Sequence, residues 1–166
     1  MNETPNKHQR MILTTRQLYV RYLREDDFPR YSVVHPVSQD DYARFVSAPS
    51  VECIAVCKKT DHNFIGRCGF RRSNGFIEPE IFLLPDERGK GYGRELLGEM
   101  ISYAKVQYPG LILAGWVLPS NRPMVHLLEE QGFMDSGETK EMKSGLHHLY
   151  KRTSSTRLLQ EMARPR

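Results

Sequence analysis

Cysteine and tryptophan are scarce: the 166-residue chain has three cysteines and one tryptophan. An odd, small set of thiols cannot staple a fold, which excludes a disulfide-built secreted scaffold. Cys53, Cys57 and Cys68 lie in apolar stretches without a His or second Cys pair at zinc-site spacing, and read as reduced, buried structural thiols. Long apolar runs are missing too. None approaches the roughly 18 residues of a membrane span, and the polar start MNETPNKHQRM has no signal-like apolar segment. The expectation is a cytoplasmic protein with no membrane partner. Charge of one sign is equally limited: 24 Lys+Arg against 20 Asp+Glu leave +4. That surplus suits acidic ligands, phosphorylated ones included, and does not call for a nucleic acid. The six histidines form no metal site, since His147 and His148 are adjacent on a predicted strand and point to opposite faces. No repeat or low-complexity linker interrupts the chain. The expectation is therefore one domain over 1–166, with residues 1–12 a flexible arm and 153–166 a tail that frays or forms a short helix.

What is present is a clear succession of elements. Leu18–Leu23 alternates as a strand. Short helices follow at Phe28–Val34 and, opened by Ser38-Gln39-Asp40-Asp41, through Val46, closed by Pro36 and Pro49. Val51–Cys57, Phe64–Phe70 and Phe76–Leu84 read as strands, the last two joined at Ser73-Asn74-Gly75. Residues 94–107 form the clearest helix, with Leu96, Leu97, Met100, Ile101 and Ala104 on one stripe. Leu111–Leu118 is an apolar strand. Asn121 then caps a helix that ends at Gly132-Phe133, and Gly137–Lys143 with Leu146–Arg152 make a closing hairpin. This order predicts a mixed α+β fold, not a doubly wound parallel sheet.

The chemistry concentrates where a strand ends and the long helix begins: Leu83-Leu84-Pro85-Asp86-Glu87-Arg88-Gly89-Lys90-Gly91-Tyr92-Gly93-Arg94. Backbone N–H groups at a helix start have no intrahelical partner, and the helix dipole adds partial positive charge. Three glycines remove the Cβ atoms that would keep an anion away, and Arg88, Lys90 and Arg94 add formal charge. The stretch reads as a phosphate or pyrophosphate cradle. A P-loop would need Ser or Thr after Lys90, where Gly91 stands. A dinucleotide fingerprint would need its third glycine later than Gly93.

The spacing Arg88-x-x-Gly91-x-Gly93 resembles the signature of the GNAT N-acetyltransferase superfamily, as does the segment from Asn121 to Gly132-Phe133. The beginning, Leu13 to Arg21 with Asp26-Asp27, is similar to the branch that acetylates ribosomal-protein N-termini. The resemblance spans roughly residues 12–152. It implies a mostly antiparallel central sheet of about seven strands with helices on both faces, and acetyl-CoA as acyl donor, held at Arg88–Arg94. It also implies oxyanion stabilisation by backbone N–H groups at Leu83 or Leu84, and a contact from Asn121 to the pantetheine arm or an active-site water.

Amine acetylation needs a neutral nucleophile. A lysine-type amine has a pKa near ~10.4 and an α-amine near ~8. Glu78 and Glu80, two apart in the strand before the cradle, share a face and are the candidate bases or acceptor ligands. The general-acid positions implied by the resemblance hold Leu128 and Met124, which cannot donate a proton. Tyr92, Tyr150 and His126 are the remaining candidates, and a thiolate is itself a fair leaving group. The resemblance implies an amine acceptor, either a protein N-terminus or a small amine, and the expectation is a monomer or homodimer. Acetylation of aminoacyl-tRNA and a non-catalytic acyl-CoA sensor are the two rival readings.

Overall fold

The structure is a computed structural model that describes residues 11–153. The tail from residue 154 and the arm before Met11 lie outside the described residues. The fold is mixed α+β. Among the described residues, eight strands form one sheet in the order β1-β2-β3-β4-β5-β6-β8-β7, where about seven were expected. Strands β1 (Met11–Thr14), β2 (Leu18–Arg21), β3 (Ile54–Lys58) and β4 (Phe64–Ser73) precede β5 (Phe76–Leu83), which carries the candidate site residues. Helices α1 (Phe28–Val34) and α2 (Gln39–Ser47) connect β2 to β3, and α3 (Tyr92–Gln107) follows β5. Then come β6 (Ile112–Val117), α4 (Arg122–Glu130), β7 (Phe133–Met142) and β8 (Gly145–Arg152).

The chain divides into two compact units, one up to Arg71 together with Pro79–Val106, the other Arg72–Glu78 together with the chain from Gln107 onward. In the first unit, β1 pairs antiparallel with β2 (Leu13↔Val20), β2 with β3 (Val20↔Val56) and β3 with β4 (Ile54↔Cys68). Leu18, Val20, Ile54, Val56, Ile65, Leu96 and Met100 are fully buried there. The α3 stripe expected from the sequence is the buried face of that helix. A second cluster gathers Tyr31, Tyr42, Leu23 and Phe64, with the two tyrosine rings 4.9 Å apart. Ser38 caps α2, its Oγ accepting from the Asp41 N–H at 3.1 Å.

In the second unit β5 pairs parallel with β6 through Phe76↔Ile112 and Ile77↔Leu113, and β8 runs antiparallel to both β6 and β7. Ile77, Leu113, Ala114, Leu128, Phe133 and Leu149 form its core.

Several boundaries move for identifiable reasons. Met11 and Ile12, assigned to the arm, open β1. The first strand stops at Arg21, whose side chain turns to grip Asp27. Val51–Cys53 is a turn outside the ladder: Phe70 donates its N–H to the Val51 carbonyl at 3.0 Å, and a Cβ on Gly69 would overlap the Glu52 carbonyl. β7 begins directly at Phe133, because Gly132 (φ 86°) reverses the chain in one residue. Of the three thiols expected to be buried, Cys57 and Cys68 are, while Cys53 sits half-buried in that turn.

Candidate active site

The first unit holds the glycine turn between β5 and α3. After β5, Pro85–Glu87 makes a single 3-10 turn, and α3 starts at Tyr92, two residues earlier than the periodicity indicated. Gly89 (φ 72°) and Gly91 (φ 83°) adopt the left-handed backbone that favours glycine, and nothing lies within 4 Å of where their Cβ atoms would stand. The turn is therefore open on the side the missing Cβ atoms would fill, as an anion cradle requires. Its basic residues differ in engagement. Lys90 pairs with Glu87 at 3.2 Å, and Glu87 also takes Lys58 at 3.4 Å. Arg88 folds back, its Nε donating to the Leu83 carbonyl at 3.1 Å. Tyr92 is half-buried at the first helical position.

That arginine contact bears on the Leu83–Leu84 peptide. The peptide is planar and trans, so its C=O and N–H point in opposite directions. The Leu84 N–H donates to the Ile65 carbonyl of β4 at 2.8 Å while Arg88 holds the other edge. Leu84 is thus corrected as an oxyanion donor, since its N–H is committed to the sheet. The preceding peptide is the available one. The Phe82 carbonyl lies against Gly66 of β4, close enough that a Cβ on Gly66 would overlap it and sit 2.9 Å from Leu83 Cα. The Leu83 N–H, trans to that carbonyl, points away from β4.

Glu80 and Phe82 share a face of β5 by alternation. Glu80 pairs with Arg71 at 3.2 Å. Beside it stands a residue the sequence reading missed. Arg67 of β4 is buried, its guanidinium lies 4.2 Å over the Phe82 ring, and its Nη2 donates to His35 Nδ1 at 3.3 Å. A guanidinium only donates, so His35 accepts there in its neutral form. Burial, and then the Arg67 charge, hold His35 below the ordinary imidazole range. The Tyr31 hydroxyl meets Cys53 Sγ at 3.2 Å, and burial, then that contact, raise Tyr31. Burial also pushes the Cys57 and Cys68 thiols up, so neither is poised as a thiolate nucleophile. The signal for Arg67 was a lone charge in the apolar run Phe64–Phe70.

The second unit holds Glu78 and Asn121. Glu78 is 5% exposed, and its Oε1 accepts from the Trp116 N–H at 3.0 Å, just past the last paired residues of β5 and β6. It is no solvated sheet-edge charge. Asn121 caps α4, its Oδ1 accepting from the Met124 N–H at 3.4 Å. Leu128 is buried on the apolar side of α4. His126 faces outward and meets Glu130 at 3.1 Å, so it serves the helix surface. Tyr150 is buried opposite Gly115 and Asp135, and burial raises its pKa.

An open glycine turn thus joins a strand of a mixed sheet to its long helix. The sequence model of the Acetyltransferase (GNAT) family matches residues 16–133, and the chain belongs to that family. Its acyl donor is accordingly acetyl-CoA. No curated protein matches the chain in sequence. Among solved structures, it is similar to a GNAT-family acetyltransferase from Bacillus anthracis, with 16% identity over 86% of this chain and 96% of that one, TM-score 0.70. An acetyltransferase from Agrobacterium tumefaciens shares 19% identity over 87% and 95%, TM-score 0.67. The spermidine N-acetyltransferase from Vibrio cholerae, solved with CoA and spermine, shares 22% over 81% and 93%, TM-score 0.64. These likenesses concern the fold.

Proposed function

We propose that residues 11–153 act as one acetyltransferase domain that moves acetyl directly from acetyl-CoA to the α-amine of a protein N-terminus, in a ternary complex. The observation that carries this is the cradle: two left-handed glycines with open space at both Cβ positions, flanked by Arg88, Lys90 and Arg94. These residues hold the donor's pyrophosphate, with Gly93 and Tyr92 shaping the helix start. The Leu83 N–H receives the thioester oxygen as it becomes an oxyanion. Glu78 accepts the amine proton, and Glu80 helps to hold the acceptor. Asn121 contacts the pantetheine arm or a water beside it. No side-chain acid is required, since the CoA thiolate leaves unaided near its ordinary pKa of about 8.5.

The state of the two carboxylates supports an α-amine over a polycation. Arg71 already neutralises Glu80, and Glu78 is tied to a backbone N–H, which leaves little free negative charge for several ammonium groups. An α-amine, with its pKa near ~8, also asks less of the base than an alkylamine does. A small-amine acceptor is the second reading, favoured by the likeness to a spermidine N-acetyltransferase.

A thermal melt with and without acetyl-CoA, run beside Gly91→Glu, tests the donor site. Ligand at about 100 times Kd stabilises by roughly 2.7 kcal/mol. Wild type should melt higher with acetyl-CoA, and the folded variant should not respond. An equal rise in both would place the donor elsewhere. Thiol release with peptides and with spermidine then separates the two acceptor readings.

A further inference from the structure

The first unit buries two arginines and treats them differently. Arg21, 5% exposed, is gripped by both oxygens of Asp27 at 2.7 and 2.8 Å. Arg67, 7% exposed, has no carboxylate among the described residues. Its Nη2 donates to neutral His35 and its guanidinium rests on the Phe82 ring, while its Nε, like that of Arg21, is buried without a hydrogen-bond partner. Arginine does not escape burial by losing its proton. A neutral imidazole and a ring face offer only partial negative charge, so a buried cation so placed is poorly compensated. Of the two acids on the same face of β5, Glu80 is paired with Arg71 and Glu78 accepts from the Trp116 N–H. Phe82, 42% exposed, presents an apolar surface beside the guanidinium.

We infer that Arg67 binds a carboxylate carried by the acceptor, with Phe82 as the apolar wall beside it. The guanidinium fork matches a carboxylate in geometry as well as in charge. The substrate class is therefore a primary amine that bears a nearby carboxylate. Two sources supply that chemistry: a free amino acid through its α-carboxylate, and a peptide whose first residue has an acidic side chain. The inference rests on the amine-acetylation reading and specifies its acceptor.

The test is calorimetric binding in the presence of CoA, which needs no turnover. One pair of probes is Asp-Ala-Ala amide against Asn-Ala-Ala amide, the other alanine against alaninamide. In wild type at least one carboxylate member should bind about tenfold or more tighter than its amide twin, and the pair concerned identifies the source. Arg67→Gln should bring the ratio close to one while retaining the acetyl-CoA-dependent rise in melting temperature. Equal binding of the twins by wild type overturns the inference, as does a ratio that survives in Arg67→Gln. Should that variant not fold, Arg67→Lys, which keeps the charge but not the fork, is expected to reduce the ratio, and an unchanged ratio overturns the inference. Carboxylate-dependent binding without transfer to any amine would defeat the acetylation reading and leave this subsite standing. Transfer to amines without carboxylate preference would do the reverse.

Discussion

Asp27 closes the 3-10 turn Glu25–Asp27 that precedes α1, and its side chain has a structural task. Both oxygens bind Arg21, and Oδ2 also accepts from the Arg24 N–H at 2.8 Å, which starts the 3-10 turn before α1. Burial opposes the Arg21 charge, and the Asp27 contact more than offsets it. Removing one partner of a buried pair strands the other, at about 3–5 kcal/mol. Asp27→Asn should lose stability of that order in urea unfolding, and a loss below about 1 kcal/mol would mean the pair is solvated. Glu78 calls for a different readout. Glu78→Gln keeps an oxygen for the Trp116 N–H, so the melting temperature should hold. Loss of a general base costs about 10²–10⁴-fold in rate. Steady-state kinetics should show a fall in kcat of that size, against a rise mainly in KM for Glu80→Gln. An unchanged kcat in Glu78→Gln removes it from proton transfer.

Elements are joined by contacts that no local pattern announces. Glu95, in the first turn of α3, accepts from the Gln17 N–H at 2.6 Å, from Gln17 Nε2 at 2.8 Å and from the Thr15 hydroxyl. The turn between β1 and β2 is thus fastened to the helix that begins at the cradle. Burial acts to raise the Glu95 pKa, and the Thr15 and Gln17 hydrogen bonds win and hold it below its ordinary value. Hydrogen bonds to a charged group contribute about 1.5–3 kcal/mol. Glu95→Ala should therefore destabilise by about that much, checked by urea unfolding at pH 7, and should speed amide exchange in β1. Slow exchange in β1 with stability lost would show that the strand is held by pairing alone. This tie explains why β1 was illegible: Met11–Thr14 is too short to show a period, and its anchor lies far along the chain. By contrast, α3 and α4 were legible because apolar spacing, the Asn121 cap and Gly132 are local signals. The glycine turn before α3 was legible for the same reason, since left-handed glycines punctuate a sequence. The Arg67–Phe82–His35 cluster was not, because it needs the alignment of β4 with β5 and the position of α1. Nor could spacing show that the Leu84 N–H is engaged by Ile65, which depends on which edge of β5 faces β4.

Across the whole molecule, the titrating groups set a stability plateau that does not follow net charge. His35 is held low by burial and then by Arg67, so its folded pKa lies below the unfolded value of 6.5. Such a group contributes stability above about pH 6.5 and loses it as pH falls through the folded value. Glu95, Asp61 and Asp135 are likewise held below their ordinary values of 4.5, 3.8 and 3.8. Hydrogen bonds prevail over burial at Glu95, while backbone hydrogen bonds lead at Asp61 and Asp135. Their stabilisation is present at neutral pH and lost as acid protonates them. The buried thiols and phenols work from the other side. Burial raises Cys57 and Cys68 above 9.0 and Tyr31 and Tyr42 above 10.0. Their contribution is whole below those unfolded values and fades as pH rises through the folded ones. Stability should therefore be flat from about pH 7 to 9. It should fall in two steps on the acid side, first with His35 and then with the carboxylates, and fall again above about pH 9. Urea midpoints from pH 3 to 11 read this directly. His35→Asn should abolish the first acid step while leaving the second. A profile that peaks sharply at the isoelectric point near 9.0, with no separate His35 step on the acid side, would mean that long-range charge repulsion outweighs these local environments.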